Sequence, residues 1–231
     1  MKHFIKSLLI AVLSLSSALA SADDFSKGVA LYAQEDFPAA AAAFKKAAEQ
    51  GKPEAQFNLG LMYLNGEGLM QDYVEARSLF EQAALQGNPR AQVNLARMYA
   101  KGKGVAPNYG QAVVWFKKAA ELGYADAQYS LGVLYVTGNG APRDYRKAYD
   151  LFLAAAEQNN ASAQYQLGLM YFKGKAVALN YVEAMKWFIL ADDFDEAVSY
   201  RKYAESKMDK VQIAEAKAQA AEWSASPPSK P

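Results

Sequence analysis

One short motif contains residue types that could carry out covalent catalysis. The segment Ser199-Tyr200-Arg201-Lys202 matches the Ser-x-x-Lys pattern of penicillin-recognising enzymes, in which the serine is the nucleophile. With 14 serines and 19 lysines in 231 residues, however, about one such match is expected by chance. The companion motifs Ser-Asp-Asn and Lys-Thr-Gly are missing from the sequence. We therefore interpret Ser199 and Lys202 as surface residues of a helix.

A second candidate site is the acidic run Asp192-Asp193-Phe194-Asp195-Glu196, whose carboxylates could bind calcium. Its spacing does not fit the calcium-binding loop of an EF-hand, in which the ligands alternate along the loop. We interpret the run as a helix terminus with solvated charges and predict no metal site. No acidic pair stands out as the two carboxylates of a glycosidase, although the sequence by itself leaves that chemistry open.

Two residue types that many enzymes require are scarce in this chain. It contains no cysteine, and His3 is its one histidine. Zinc sites built from Cys and His, Cys-x-x-Cys redox chemistry, Ser-His-Asp triads and Cys-His dyads all need these residues. The 25 basic and 24 acidic residues leave a net charge of +1, which gives no broad electrostatic reason to expect a nucleic acid or an anionic membrane as partner. We predict that the protein is not an enzyme and has no cofactor.

Residues 1–22 have the pattern of an export signal. A positively charged start precedes a short apolar stretch, Leu8–Leu15, which is well below the roughly 20 residues that span a bilayer. Small-x-small sequences end at Ala20 and Ala22. We expect cleavage after Ala22, with Ala20 as the alternative, and a periplasmic or secreted mature protein. No cysteine follows the signal to carry a lipid, so no membrane anchor is expected.

The remaining sequence repeats every 36 residues across four units without insertion or deletion. The register is visible in the columns Ala55, Ala91, Ala127, Ala163; Gln56, Gln92, Gln128, Gln164; Tyr63, Tyr99, Tyr135, Tyr171; and Phe80, Phe116, Phe152, Phe188. In each unit, small and apolar residues recur at helical spacing in two stretches that a glycine-containing loop separates. Because one helix pair cannot cover its own apolar faces, we predict that neighbouring pairs stack.

The predicted second helix of each unit has clear start and stop signals. It begins at an Asp or Asn whose side chain can accept a free backbone N–H, namely Asp72, Asn108, Asp144 and Asn180. Asp72 with Glu75, and Asn180 with Glu183, also resemble capping boxes. The second helix ends at Gly51, Gly87 and Gly123, and at Asn159 in another unit.

The pattern Ala-x-Ala-Gln-x-x-Leu-Gly-x-x-Tyr-x-x-Gly-x-Gly, followed by Asp-Tyr-x-x-Ala-x-x-(Trp/Leu)-Phe-x-x-Ala-Ala-x-x-Gly, closely resembles Sel-1-like repeats, which are relatives of the tetratricopeptide repeat. We therefore expect an all-α fold, a right-handed superhelix (solenoid) of antiparallel helix pairs. The expected organisation is an export signal at 1–22, a variant first repeat at 23–52, and four repeats at 53–88, 89–124, 125–160 and 161–192. A pair of capping helices at 193–223, with Asp209 as N-cap, and a disordered tail at 224–231 complete it.

The resemblance implies that the first helices line a concave surface, and that the residue before each Leu-Gly pair often contacts a peptide backbone. The stripe Arg90, Asn94, Arg97 and Lys101 lies on one side of such a helix, where Arg97 and Lys101 would favour acidic groups. The aromatic residues next to these polar residues, which precede the Leu-Gly pairs, could pack against side chains of the ligand. The predicted partner-binding groove consists of Phe57, Asn58, Asn94, Arg97, Lys101, Tyr129, Ser130, Tyr165, Gln166 and Lys173.

Residues that are identical in every unit most simply serve the stacking of the units. We therefore predict that the four glutamines of the Gln56 column bond loop or backbone groups, and that Trp115 and Trp187 pack in the core. The predicted function is a non-enzymatic, monomeric protein–protein interaction scaffold or adaptor of the cell envelope, which binds a peptide or protein segment in the groove. One alternative is a β-lactam-hydrolysing or penicillin-binding enzyme like some cysteine-rich exported family members. The other is an adaptor that uses the convex face or the cap.

Overall fold

The computed structural model describes residues 23–191 and 194–225, which form twelve α-helices and no strand. The helices are α1 (Asp24–Ala33), α2 (Phe37–Glu49), α3 (Pro53–Asn65), α4 (Tyr73–Leu85), α5 (Pro89–Lys101), α6 (Tyr109–Glu121), α7 (Ala125–Thr137), α8 (Tyr145–Ala156), α9 (Ala161–Lys173), α10 (Tyr181–Leu190), α11 (Asp195–Glu205) and α12 (Lys210–Ala225). The chain divides into two units, which meet in sequence at Pro107 and Asn108. The expected export signal and residues 192–193 and 226–231 lie outside the described residues.

Unit 1 contains α1 to α5, and each helix packs against the next one along the chain. Its core combines many alanines with a few large side chains, among them Phe44, Leu59, Met62 and Phe80. Helices α3 and α4 approach closely because residue 60 is a glycine: a Cβ at this position would lie 2.8 Å from the Phe80 ring. Small residues therefore set how near two helices come, and large rings fill the space between their turns.

Unit 2 contains α6 to α12, and consecutive helices from α6 to α11 pack in the same way. The last helix, α12, packs against α10. The rings of Trp187 on α10 and Trp223 on α12 meet edge to face, with centroids 4.9 Å apart. Trp115 and Trp187 are both buried, which confirms their predicted place in the core. The aromatic contact of Trp223 ties the last turns of α12 to the repeat that precedes the cap.

The helix starts follow the sequence signals closely. The side chains of Asp72, Asn108, Asp144 and Asn180 accept backbone N–H bonds at the first turns of α4, α6, α8 and α10, as predicted. Asp209 does the same for α12, accepting from the backbone nitrogens of Val211 and Gln212. Gly51, Gly87, Gly123 and Asn159 have positive φ after the preceding second helices, also as predicted.

Two details of the sequence-based expectation are wrong. The second bond of each capping box does not form, because the backbone N–H of Asp72 donates to the Tyr63 carbonyl at 3.0 Å and that of Asn180 to the Tyr171 carbonyl at 3.1 Å. The pair of capping helices at the C-terminal end also extends beyond residue 223, where we expected it to end. Ser224 and Ala225 belong to α12, where the Ser224 hydroxyl donates to the Ala220 carbonyl at 3.0 Å. The prediction of an all-α fold built from helix pairs is confirmed.

Candidate functional site

The first helices of unit 1 border a cavity of about 400 Å³. Its lining comes from α1 (Val29, Tyr32), α2 (Phe44), α3 (Asn58, Leu61) and α5 (Arg90). Val29 is 46% exposed, so this apolar side chain is accessible from the cavity and from solvent. The cavity has an apolar floor and three polar side chains at its rim, the combination that ligand sites in proteins commonly show.

Arg90 lines this cavity and lies next to Phe57, which does not line it. The guanidinium carbon of Arg90 lies 4.6 Å from the centroid of the Phe57 ring, a cation–π distance. Phe57 is only 3% exposed, and its other contacts include the Phe80 ring at 5.8 Å. The expectation that Phe57 packs against a ligand is therefore wrong, because Arg90 covers this ring and the core surrounds it. Arg90 takes its place as the group that a ligand could contact.

The polar residues predicted for the groove in unit 1 are only partly available for a ligand. The Asn94 side-chain amide donates to the Arg90 carbonyl on its own helix at 2.9 Å. Asn58 is half-buried at the cavity and makes no side-chain hydrogen bond with the residues that the structure describes. Arg97 and Lys101 are exposed on α5 and do not line the cavity. Of the five residues predicted for the groove in unit 1, Asn58 is the one that the structure places at the cavity.

The first helices of unit 2 border a smaller cavity of about 170 Å³. Its lining is Val136, Tyr145, Gln166, Leu169, Met170, Lys173 and Lys175. Gln166 and Lys173, two of the residues predicted for the groove, both line this cavity, together with Lys175 from the following loop. The ammonium group of Lys175 lies 5.4 Å from the Tyr145 ring centroid, which holds this charge near the rim.

The three other residues predicted for the groove in unit 2 have partners within the protein. The Ser130 hydroxyl donates to the Asp126 carbonyl at 2.7 Å. The Tyr129 ring packs against Phe152 at 6.0 Å. The Tyr165 ring stacks on Phe194 at 5.4 Å and also meets Tyr200 of α11 at 6.3 Å.

Burial has an electrostatic consequence at Tyr165. It raises the pKa of the phenol above its ordinary value, and the nearby Tyr200 and Glu196 raise it further. The cap thus covers a ring that the sequence analysis assigned to ligand binding, because α11 packs where a further first helix would otherwise lie.

The glutamine column serves the structure, as predicted. The side-chain amides of Gln56, Gln92 and Gln164 donate to the carbonyls of Ala48, Ala84 and Ala156, at 3.5, 3.2 and 3.5 Å. Each bond joins a first helix to the end of the preceding second helix. The fourth member, Gln128, accepts a hydrogen bond from Gln158 at 2.9 Å. Each of these four buried side chains thus makes at least one hydrogen bond within the protein.

Four of the residues singled out for catalysis or metal binding lie at exposed positions, whereas Asp192 and Asp193 are outside the described residues. Ser199 and Lys202 are both exposed on α11. Asp195 and Glu196 lie in the first turn of the same helix, where negative charge is favourable. No three His, Cys, Asp or Glu side chains among the described residues are grouped to hold a metal ion. None of the described helices is both long and apolar enough to cross a bilayer.

Two cavity residues, Val29 and Tyr32, were missed because they belong to the variant first repeat. A signal for them does exist in the sequence. Gly28 precedes Gly60 by 32 residues, and both glycines face a phenylalanine ring of the following helix, at 2.6 Å for a Cβ on Gly28 and 2.8 Å on Gly60. With that alignment Val29 corresponds to Leu61, which also lines the cavity.

Comparison with known proteins extends this description. A family model described as Sel1 repeat matches residues 24–52, 53–88, 89–124, 125–160 and 161–191. The solved structure of a Sel1 repeat protein from Oxalobacter formigenes is 36% identical, with a TM-score of 0.66, and the match covers 72% of this chain and 49% of that one. This chain therefore spans about half the length of the Oxalobacter protein.

Two further solved structures have a similar fold. A Sel1-repeat structure from Klebsiella pneumoniae is 25% identical over 79% of this chain and 91% of that one, with a TM-score of 0.50. An immunity protein from Pseudomonas aeruginosa is 22% identical over 88% of this chain and 84% of that one, also with a TM-score of 0.50, a likeness that concerns the fold alone. A comparison of the sequence with curated proteins gives no match.

Proposed function

The chain belongs to the Sel1 repeat family, and from this premise we propose that it binds a segment of a partner protein on the first helices of its repeats, without catalysing a reaction. Proteins of this family commonly act as scaffolds for protein interactions. The observation that carries the proposal for this chain is the cavity of unit 1. It joins three first helices, and it combines exposed apolar surface with the side chains of Asn58 and Arg90.

We also propose that the protein acts outside the cytoplasm. The basis is the sequence pattern of residues 1–22, and the cap of α1 is compatible with either expected cleavage site. Asp23 accepts the backbone N–H of Ser26 at 2.7 Å, so cleavage after Ala20 or Ala22 would leave this cap intact. Fractionation of cells that produce the tagged protein, with the mass of the mature N-terminus, tests the proposal. Retention of residues 1–22 in a cytoplasmic protein would refute it.

Binding on the first helices can be tested by site-specific photo-crosslinking in living cells. A photoreactive residue replaces Asn58 in one variant and Met70 in a control, because Met70 is 87% exposed in a loop away from the cavity. We expect a crosslinked partner band from position 58 that is absent or much weaker from position 70. Equal crosslinking from both positions, or crosslinking from position 70 alone, would contradict binding on the first helices.

A catalytic role can be tested directly. The expectation of no enzymatic activity accords with the exposed positions of Ser199 and Lys202, since an activated serine nucleophile requires a base within hydrogen-bond reach in a shielded site. Purified protein should not hydrolyse nitrocefin above the background of a Ser199→Ala variant. A rate that falls to background on this substitution would instead establish a serine-dependent β-lactamase.

A further inference from the structure

The charge on Arg90 has no acidic partner among the described residues. Other arginines of the chain pair with a carboxylate one helical turn further on, as Arg77 does with Glu81 at 3.0 Å and Arg146 with Asp150 at 3.3 Å. The residue four positions after Arg90 is Asn94, which bonds the Arg90 carbonyl instead. Arg90 therefore presents an unneutralised guanidinium at the rim of the unit 1 cavity.

The acidic residues closest to Arg90 in the repeat register do not form an ion pair with its guanidinium. Glu54 occupies the position of Arg90 one repeat earlier and forms no ion pair with it. Glu67 already accepts two hydrogen bonds, from the Tyr32 hydroxyl at 2.7 Å and from the Asn65 amide at 2.8 Å. The Glu67 bond raises the pKa of Tyr32 above its ordinary value, so the phenol keeps its proton in this contact.

The guanidinium carbon of Arg90 lies over the Phe57 ring. The N–H groups of a guanidinium all lie in its own plane, so a contact with the face of a ring leaves its edge available to an acceptor. That edge matches the two oxygens of a carboxylate, which can accept two parallel hydrogen bonds. Because the ring is buried and fixed, the charge is held in place with little loss of side-chain freedom when a ligand binds.

The other side of the cavity offers complementary chemistry. Val29, Phe44 and Leu61 provide an apolar pocket, and Asn58 provides an amide that can both donate to and accept from one peptide group. In the same column of other repeats, Asn94 and Ser130 are bonded to their own helices, whereas Asn58 is not. The volume of about 400 Å³ is near the lower end of the range for ligand sites, roughly 300–1,000 Å³, and suits a short stretch of peptide.

We infer that this cavity recognises an acidic peptide segment, in which the carboxylate of an internal Asp or Glu binds Arg90 and an adjacent apolar side chain fills the Val29/Phe44/Leu61 pocket. This inference rests on the proposed function and specifies its partner. The Asn58 amide pairs with the main chain between these two side chains. The recognition element is thus a carboxylate within about two residues of a Leu, Ile, Met or Phe.

The probe is a library of random dodecapeptides displayed as internal fusions, so that no peptide has a free C-terminus, selected on the purified full chain. We expect enrichment of peptides that contain the acidic–apolar pair. Synthetic versions with both ends blocked should bind about tenfold more weakly to Arg90→Gln, since a hydrogen bond to a charged group is worth about that factor. Arg90→Lys should lie between the two, and Arg146→Gln, which removes an exposed arginine of unit 2, should leave the affinity unchanged.

The outcomes separate the inference from the function on which it rests. Some selected peptides could lose binding to Val29→Asp or Asn58→Ala but bind Arg90→Gln unchanged. That result would overturn the carboxylate assignment while leaving the proposal of binding on the first helices intact. Enriched peptides that none of these substitutions affects, or the absence of any enriched peptide, would count against both proposals. Unchanged circular dichroism melting of each variant ensures that a loss of binding is not a loss of folding.

Discussion

The side-chain amide of Gln86, at the C-terminal end of α4, donates a hydrogen bond to the Oε1 of Gln56 on α3 at 2.8 Å. Gln56 is 4% exposed, and its own amide donates to Gln82 at 3.2 Å. Gln158 and Gln128 repeat this relationship in unit 2. The repeat between them has Leu122 in the Gln86 column, and the Oε1 of Gln92 is buried without a hydrogen-bond partner among the described residues.

The variant Gln86→Leu tests how much this bond stabilises the fold. It leaves the buried Oε1 of Gln56 without its donor, so we expect the free energy of unfolding to fall by about 1–2 kcal/mol. Urea denaturation measures this as a lower midpoint with an unchanged slope. The control Gln111→Leu, at an exposed position on α6, should change stability by less than about 0.5 kcal/mol. Equal midpoints for both variants would show that the glutamine bond contributes nothing measurable.

Ala176 occupies a backbone conformation that its repeat-mates fill with glycine. Its φ is +65°, and the corresponding residues Gly68, Gly104 and Gly140 have φ of +70°, +67° and +75°. Because a Cβ is disfavoured there, Ala176→Gly should stabilise the protein by about 0.5–1 kcal/mol despite the greater chain entropy of glycine. The measurement is a thermal or urea midpoint, which should rise. A fall in the midpoint would mean that the methyl group of Ala176 makes contacts that outweigh the backbone preference.

The reverse substitution in unit 1, Gly104→Ala, should be far more damaging. A Cβ on Gly104 would lie 2.2 Å from the Tyr73 carbonyl oxygen, a backbone atom that cannot move alone. We expect a loss of more than about 2 kcal/mol, from this clash together with the left-handed conformation. The matched control is Gly87→Ala, whose φ is +87° but whose Cβ would meet nothing within 4 Å. The control measures only the free-energy cost of placing alanine in the left-handed conformation, about 1 kcal/mol. Equal losses of stability in the two variants would show that the clash does not contribute.

Gly132 and Phe152 are expected to be energetically coupled. A Cβ on Gly132 would lie 2.6 Å from the Phe152 ring, and the ring is fully buried. Gly132→Ala should therefore destabilise unit 2 by about 1–3 kcal/mol through overpacking. In the double variant Gly132→Ala/Phe152→Leu, the smaller side chain makes room for the methyl group. The double variant should therefore lose less stability than the sum of the losses in the two single variants. Strict additivity in a double-mutant cycle would refute direct contact as the cause.

The N-terminal cap of α1 should respond to acid. The backbone N–H of Ser26 and the ammonium group of Lys52, 3.0 Å away, bond the Asp23 carboxylate and lower its pKa from 3.8 to about 2. Because the pKa is lower in the folded state, this contribution to stability is complete above the unfolded value of 3.8 and is lost as the pH falls toward 2. An NMR titration of the Asp23 carboxyl should give a midpoint near 2 in the wild type and a higher one in Lys52→Ala. A wild-type midpoint at 3.8 would show that the cap is not formed in solution.

The candidate site was less predictable than the repeats because it depends on contacts between elements. Asn58 lines the cavity of unit 1, and helical spacing alone places it on the same side of α3 as Leu61. Phe57 is its immediate neighbour and was assigned to the ligand as well, yet Arg90, 33 positions later, covers its ring. Tyr165 was assigned in the same way, and Phe194 and Tyr200 of the cap occupy its exposed side.

Several features of the protein follow from its amino-acid sequence alone: the repeat length, the helix pairs, the N-caps of the second helices, the positive-φ glycines between the helices and the structural role of the glutamine column. These features depend on local conformational preferences and on the same packing problem solved in each unit, so they recur visibly along the chain. The packing of the helices is needed to show that Arg90 lacks an acidic partner among the described residues, that Val29 is exposed and that Phe57 and Tyr165 are covered. Those properties depend on which side chains of distant helices come together, and a repeat pattern does not specify the residues by which the units differ.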